Sequence, residues 1–154
     1  MFEACGAGPP DEFAPFVGRV GLPFQWVMLT PVASPRVCIA VEACDALDKA
    51  GRWRVVWRIS NISAEPLHID EAWAPHGRFR GDGRSVVHLD VPPRESRQLA
   101  LPVRTAEPPF TVVENAFLIL RTPTSRIFAR MRIEFDADAR PRPIVENVTL
   151  QSLQ

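Results

Sequence analysis

From Arg36 to Asp136 the chain is a succession of short runs in which apolar and polar residues alternate, each stopped by Pro, Gly, Asn or Asp. Alternation at period two puts one set of side chains on each face of an extended strand, so each run has one face to bury and one to leave in water. Val37, Ile39 and Val41 face one way and Glu42 the other; Trp53, Val55, Trp57 and Ile59 repeat this against Arg54, Arg58 and Ser60. Leu67 and Ile69 alternate with His68 and Asp70, and Val87, Leu89 and Val91 with His88 and Asp90. Leu99, Leu101 and Val103 form another set, and Phe117 to Leu120 is continuously apolar, as a central strand covered on both sides requires. Ile127, Ala129, Met131, Ile133 and Phe135 alternate with Arg130, Arg132 and Glu134, and the short Thr122–Ser125 turn before them predicts an antiparallel hairpin.

These runs predict an all-β chain: a single antiparallel β-sandwich of about seven strands over residues 36–136. At 154 residues, 46% of them hydrophobic, the chain has material for one core and no second domain. The strand number is that of an immunoglobulin-like or fibronectin-like sandwich, a likeness of architecture only. No Cys lies near Phe117 to pair with Cys38, and the chain has no tyrosine to make a tyrosine corner.

Two segments flank this core. Residues 1–35, with Pro9-Pro10, Pro15, Pro23, Pro31 and Pro35, read as a Pro/Gly-rich N-terminal arm. Its Phe13, Phe16, Phe24 and Trp26 predict packing on the domain, with a short strand at Phe24–Leu29. Residues 137–154 form a C-terminal extension whose Ile144–Leu150 stretch supplies an edge strand or docks on a partner.

Charge and composition narrow the function. The 18 basic and 18 acidic residues cancel, removing the long-range attraction of non-specific nucleic-acid or anionic-membrane binders. Arg121, Arg126, Arg130 and Arg132 gather at the last hairpin, but exposed aromatics are not interleaved with them, which disfavours nucleic acid as a partner. The apolar stretch Leu22–Val32 is interrupted by Pro23, Gln25 and Pro31, and Met1–Pro10 has no basic n-region, so the expectation is no membrane span, no signal peptide and a cytoplasmic location. Three cysteines cannot all pair within one chain, and reduced thiols are expected. G-x-S-x-G, P-loop, G-x-G-x-x-G and H-E-x-x-H signatures are all missing, so the sequence implies no cofactor and favours a non-catalytic protein.

Two constellations remain. The loop Ala72 to Arg84 gathers Trp73, His76, Arg78, Phe79 and Arg80 among glycines, a composition enriched at binding hot spots. The competing reading has Trp73 and Phe79 capping the core while the arginines stay solvated. The same loop contains Arg80-Gly81-Asp82, a tripeptide that integrins read on extracellular proteins, which a cytoplasmic location disfavours. The second constellation is His68-x-Asp70 with His88-x-Asp90: antiparallel pairing in register brings His68 toward Asp90 and Asp70 toward His88 on one outer face. Two imidazoles and two carboxylates suit a transition metal such as Zn²⁺, against the plainer reading of cross-strand charge pairs on a wet face. The sequence therefore favours a protein-interaction module binding another protein through Trp73–Arg84. The alternative is a metal-binding protein or metal-dependent enzyme using His68, Asp70, His88 and Asp90, and a third possibility is homo-oligomerisation through edge strands.

Overall fold

The alternating runs become strands of two antiparallel sheets, and the computed structural model describes residues 36–153, which belong to the unit Pro35–Gln154. The expected N-terminal arm, with its Phe24–Leu29 strand, lies outside the described residues. The strands are β1 (Val37–Ala46), β2 (Arg52–Asn61), β3 (Leu67–Trp73), β4 (Pro75–His76), β5 (Phe79–Gly81), β6 (Ser85–Val91), β7 (Ser96–Arg104), β8 (Val112–Arg121), β9 (Ser125–Phe135) and β10 (Pro141–Ser152). No helix occurs among the described residues, so none of them forms a helix long and apolar enough to cross a membrane.

One sheet has the order β1-β2-β7-β5-β4 and the other β10-β9-β8-β3-β6, five strands each. Their inner faces meet in one cluster: Ile39, Val55, Trp57, Ile59, Leu101 and Val103 from the first sheet against Ile69, Leu118, Leu120, Ile127, Met131 and Ile133 from the second. Each large aliphatic side chain so buried contributes roughly 1.5–3 kcal/mol of transfer free energy, which is what fixes the inward set of every strand.

Three strands, β4, β5 and β10, lie outside the alternating runs read from the sequence, so the described residues form ten strands where about seven were expected. β4 and β5 have two and three residues, too short to carry a period. β10 pairs with β9 along its length, but it opens Pro-Arg-Pro and slips register between Val145 and Asn147, which interrupts its alternation. A similar slip in β1, between Val41 and Ala43, makes Glu42 an extra residue; its carboxylate accepts from Arg58 Nε and Gln98 Nε2, both at 2.6 Å. Because one inserted residue reverses which face follows, Cys44 packs with Val41 against the core, and Cys38 and Cys44 do not share a face as straight alternation predicts.

Candidate metal centre

β3 and β6 are paired at the end of the second sheet, with Leu67, Ile69, Val87, Leu89 and Val91 turned to the core. The intervening His68, Asp70, His88 and Asp90 must then project from the outer face. The register sets His68 opposite Asp90 and Ile69 opposite Leu89, then slips so that Glu71 faces Val86. The residue added in β6 is accommodated at His88, whose φ is 42°, a left-handed conformation that few non-glycine residues adopt. Bulges of this kind re-aim a side chain, and here the His88 ring lies against His68, centroids 6.1 Å apart and planes 24° from parallel.

The resulting contacts converge on His68. Its Nε2 lies 2.9 Å from Asp70 Oδ1, and its Nδ1 is hydrogen-bonded to Asp90 Oδ1. One donor atom from each of His68, Asp70 and His88 lies within 4.8 Å of the other two. The Asp90 hydrogen bond raises the His68 pKa above its ordinary value, and the charges of Asp90 and Asp70 add to the effect. Side-chain exposures of 41% for His68, 33% for Asp70 and 79% for Asp90 leave the cluster open to water and to ions.

The two carboxylates are not equivalent. Asp90 contacts Nδ1 and Asp70 lies against Nε2; a carboxylate behind a ligating imidazole fixes its tautomer and orientation in many metal sites. Two imidazoles and one carboxylate with positions left open form a donor set for Zn, Fe, Co, Ni or Cu in their divalent states. Alternation made the shared face of these four residues legible, but not the left-handed turn at His88 or the contact of Asp70 and Asp90 with different nitrogens of His68.

The residues of the Trp73–Arg84 loop are placed differently. Phe79 is fully buried in the core and Trp73 is half-buried under the Arg84 guanidinium, whose carbon lies 4.1 Å from the ring centroid. Arg78 donates to both carboxylate oxygens of Glu107, at 2.8 and 3.2 Å, and His76 Nδ1 accepts the Arg78 backbone N–H at 3.0 Å. Arg80 is exposed on β5, while Asp82, the acidic end of the Arg-Gly-Asp tripeptide, accepts from Arg52 at 3.0 Å. Apart from Arg80, the side chains that gave the loop its hot-spot composition are engaged within the fold.

Elsewhere, a concavity lined by Gly51, Trp53, Thr105, Glu107, Pro108 and Ala139 lies at one end of the sandwich, and another runs between β1 and the start of β10. Neither includes the histidine–aspartate cluster. Comparisons of the chain with protein families, curated proteins and solved structures find no match.

Proposed function

We propose that this protein binds a divalent transition-metal ion at the edge of its second sheet, with His68 Nε2, the Asp70 carboxylate and one His88 ring nitrogen as ligands. The observation that carries the reading is the convergence of one donor atom from each of these three residues, on two strands, to within 4.8 Å. Asp90 belongs to the site as the group that holds His68, a refinement of a set in which all four residues ligate. The interaction reading through Trp73, His76, Arg78, Phe79 and Arg80 has less to support it, since Phe79 is core and Arg78 and Trp73 have partners within the fold.

Titration of metal-free protein with Zn²⁺ by calorimetry tests the proposal. One equivalent is expected to bind, and His68→Ala and His88→Ala are expected to abolish binding while each variant keeps its melting transition. Binding that survives both substitutions, or no binding by the wild type, would overturn it. Asp90→Asn is expected to weaken binding by about 10–100-fold, the usual effect of losing an outer-sphere carboxylate.

A further inference from the structure

Further along the second sheet, its outer face brings aromatic and basic side chains together on β8 and β9. Leu118 and Leu120 of β8 and Ile127, Ala129 and Met131 of β9 are buried in the core. Phe117, Ile119 and Arg121, and Arg126, Phe128 and Arg130, therefore project outward. The register sets Ile119 opposite Phe128, Phe117 opposite Arg130 and Arg121 opposite Arg126, and on its other side Ile119 faces Trp73 of β3. Trp73, Ile119 and Phe128 form a half-buried row across these strands. Phe117 packs edge-on against Phe128, centroids 6.3 Å apart, and the Arg84 guanidinium covers the Trp73 ring. The expectation that the arginines of this hairpin lack aromatic neighbours does not hold, since Phe128 stands between Arg126 and Arg130 on one face.

The charges of this patch are unevenly matched. Arg84 pairs with Glu71 at 3.5 Å and Arg130 with Glu146 at 3.3 Å. Arg121 and Arg126 stand directly opposite each other, an arrangement of like charges that destabilises a sheet. Neither of their side chains has an ion pair or hydrogen bond among the described residues. An anion seated between the two guanidinium groups relieves that repulsion and accepts charge-assisted hydrogen bonds from both.

We propose that this face binds single-stranded nucleic acid, with a backbone phosphate held between Arg121 and Arg126 and bases stacked on Phe128 and on the Arg84 guanidinium above Trp73. Aromatic rings and arginine planes are the platforms on which unstacked bases rest. An acidic polypeptide satisfies the arginines and leaves the rings unused, and in a duplex the bases are already stacked on one another. The charges of the whole chain cancel, so attraction comes from this patch alone, and two phosphate contacts give log affinity a slope against log salt of about −1.4. None of these residues belongs to the histidine–aspartate cluster, and the proposal stands apart from the metal reading.

Fluorescence anisotropy of labelled oligo(dT) and oligo(U) of about 15 nucleotides, within the site sizes of single-strand-binding domains, titrated with the whole chain at several salt concentrations, tests this. Wild type is expected to bind, and the tighter of the two strands identifies the preferred sugar. Arg121→Gln combined with Arg126→Gln is expected to keep the melting temperature, weaken binding and reduce the salt slope by about 1.4. Phe128→Leu, which keeps apolar volume but loses the ring face, is expected to weaken binding by roughly 5–150-fold at an unchanged salt slope. The proposal is overturned by a wild type that binds neither strand, or by affinity that survives the arginine pair or Phe128→Leu. Duplex DNA or polyglutamate of the same length bound as tightly as oligo(dT) would also overturn it.

Discussion

At Trp57 the core contains a fully buried indole whose N–H has no acceptor. An unsatisfied buried donor costs roughly 1–3 kcal/mol, so the ring is retained for its volume. Trp57→Phe removes the orphan donor along with some packing, and is expected to change unfolding free energy by less than about 1.5 kcal/mol, whereas Trp57→Ala is expected to cost about 3–5 kcal/mol. Chemical denaturation of both variants checks this; a Phe variant as damaged as the Ala variant would contradict it. At Asp136 the sign is set by hydrogen bonding: Oδ1 accepts the backbone N–H groups of Arg140 and Asp138, at 2.9 and 2.8 Å, and this holds the carboxyl below its ordinary value of 3.8. A depressed folded pKa contributes stability that is present above the unfolded value and lost as pH falls through the folded one. Between about pH 4 and pH 2, wild type is therefore expected to lose more stability than Asp136→Asn, a difference that acid titration followed by circular dichroism measures. At Cys44, burial pushes the thiol up to about 11 despite the nearby Arg140, which makes it a poor nucleophile near neutral pH.

The β4–β5 hairpin shows why the composition of the Trp73–Arg84 loop admits two readings in the sequence. Trp, Phe and Arg are enriched both at interfaces and wherever a chain folds back to close a core, and a hairpin of two- and three-residue strands has no period to separate the cases. Here Phe79 closes the core, and Gly81 N–H donates to Ala74 O at 2.8 Å to tie the hairpin to the end of β3. Phe79→Ala is accordingly expected to cost about 3–5 kcal/mol, while Arg78→Ala, on an exposed pair with Glu107, leaves the melting temperature nearly unchanged. Thermal denaturation of the two variants distinguishes a core hairpin from a free recognition loop, which would tolerate both. β3 and β6 were readable because Leu67, Ile69, Val87, Leu89 and Val91 alternate cleanly with the polar set. The bulge between them was not, since a left-handed histidine follows from ladder geometry that no local pattern encodes.

In the whole molecule the same inward alternation builds the two sheets and leaves the histidine–aspartate cluster at the far edge of one of them. Strand existence was legible because burial acts on each run separately. Strand order was not, because it is set by which edges and faces meet across long separations in sequence; β1 and β10 illustrate this, being joined through Arg140 to Cys44 and Asp45 from opposite ends of the described chain. A metal bound only by the folded state raises stability by about 2.7 kcal/mol at a free concentration one hundred times its dissociation constant. Zinc is thus expected to raise the melting temperature of wild type and not of His88→Ala.

The most direct test of the metal site is the imidazole ¹⁵N spectrum of the protein titrated with Zn²⁺. The account predicts that His68 Nε2 and one nitrogen of His88 move to the shifts of metal-bound imidazole at one equivalent, while His68 Nδ1 stays protonated against Asp90 and His76 does not move. A titration in which His68 and His88 keep their metal-free shifts, or in which His76 responds in their place, would contradict it.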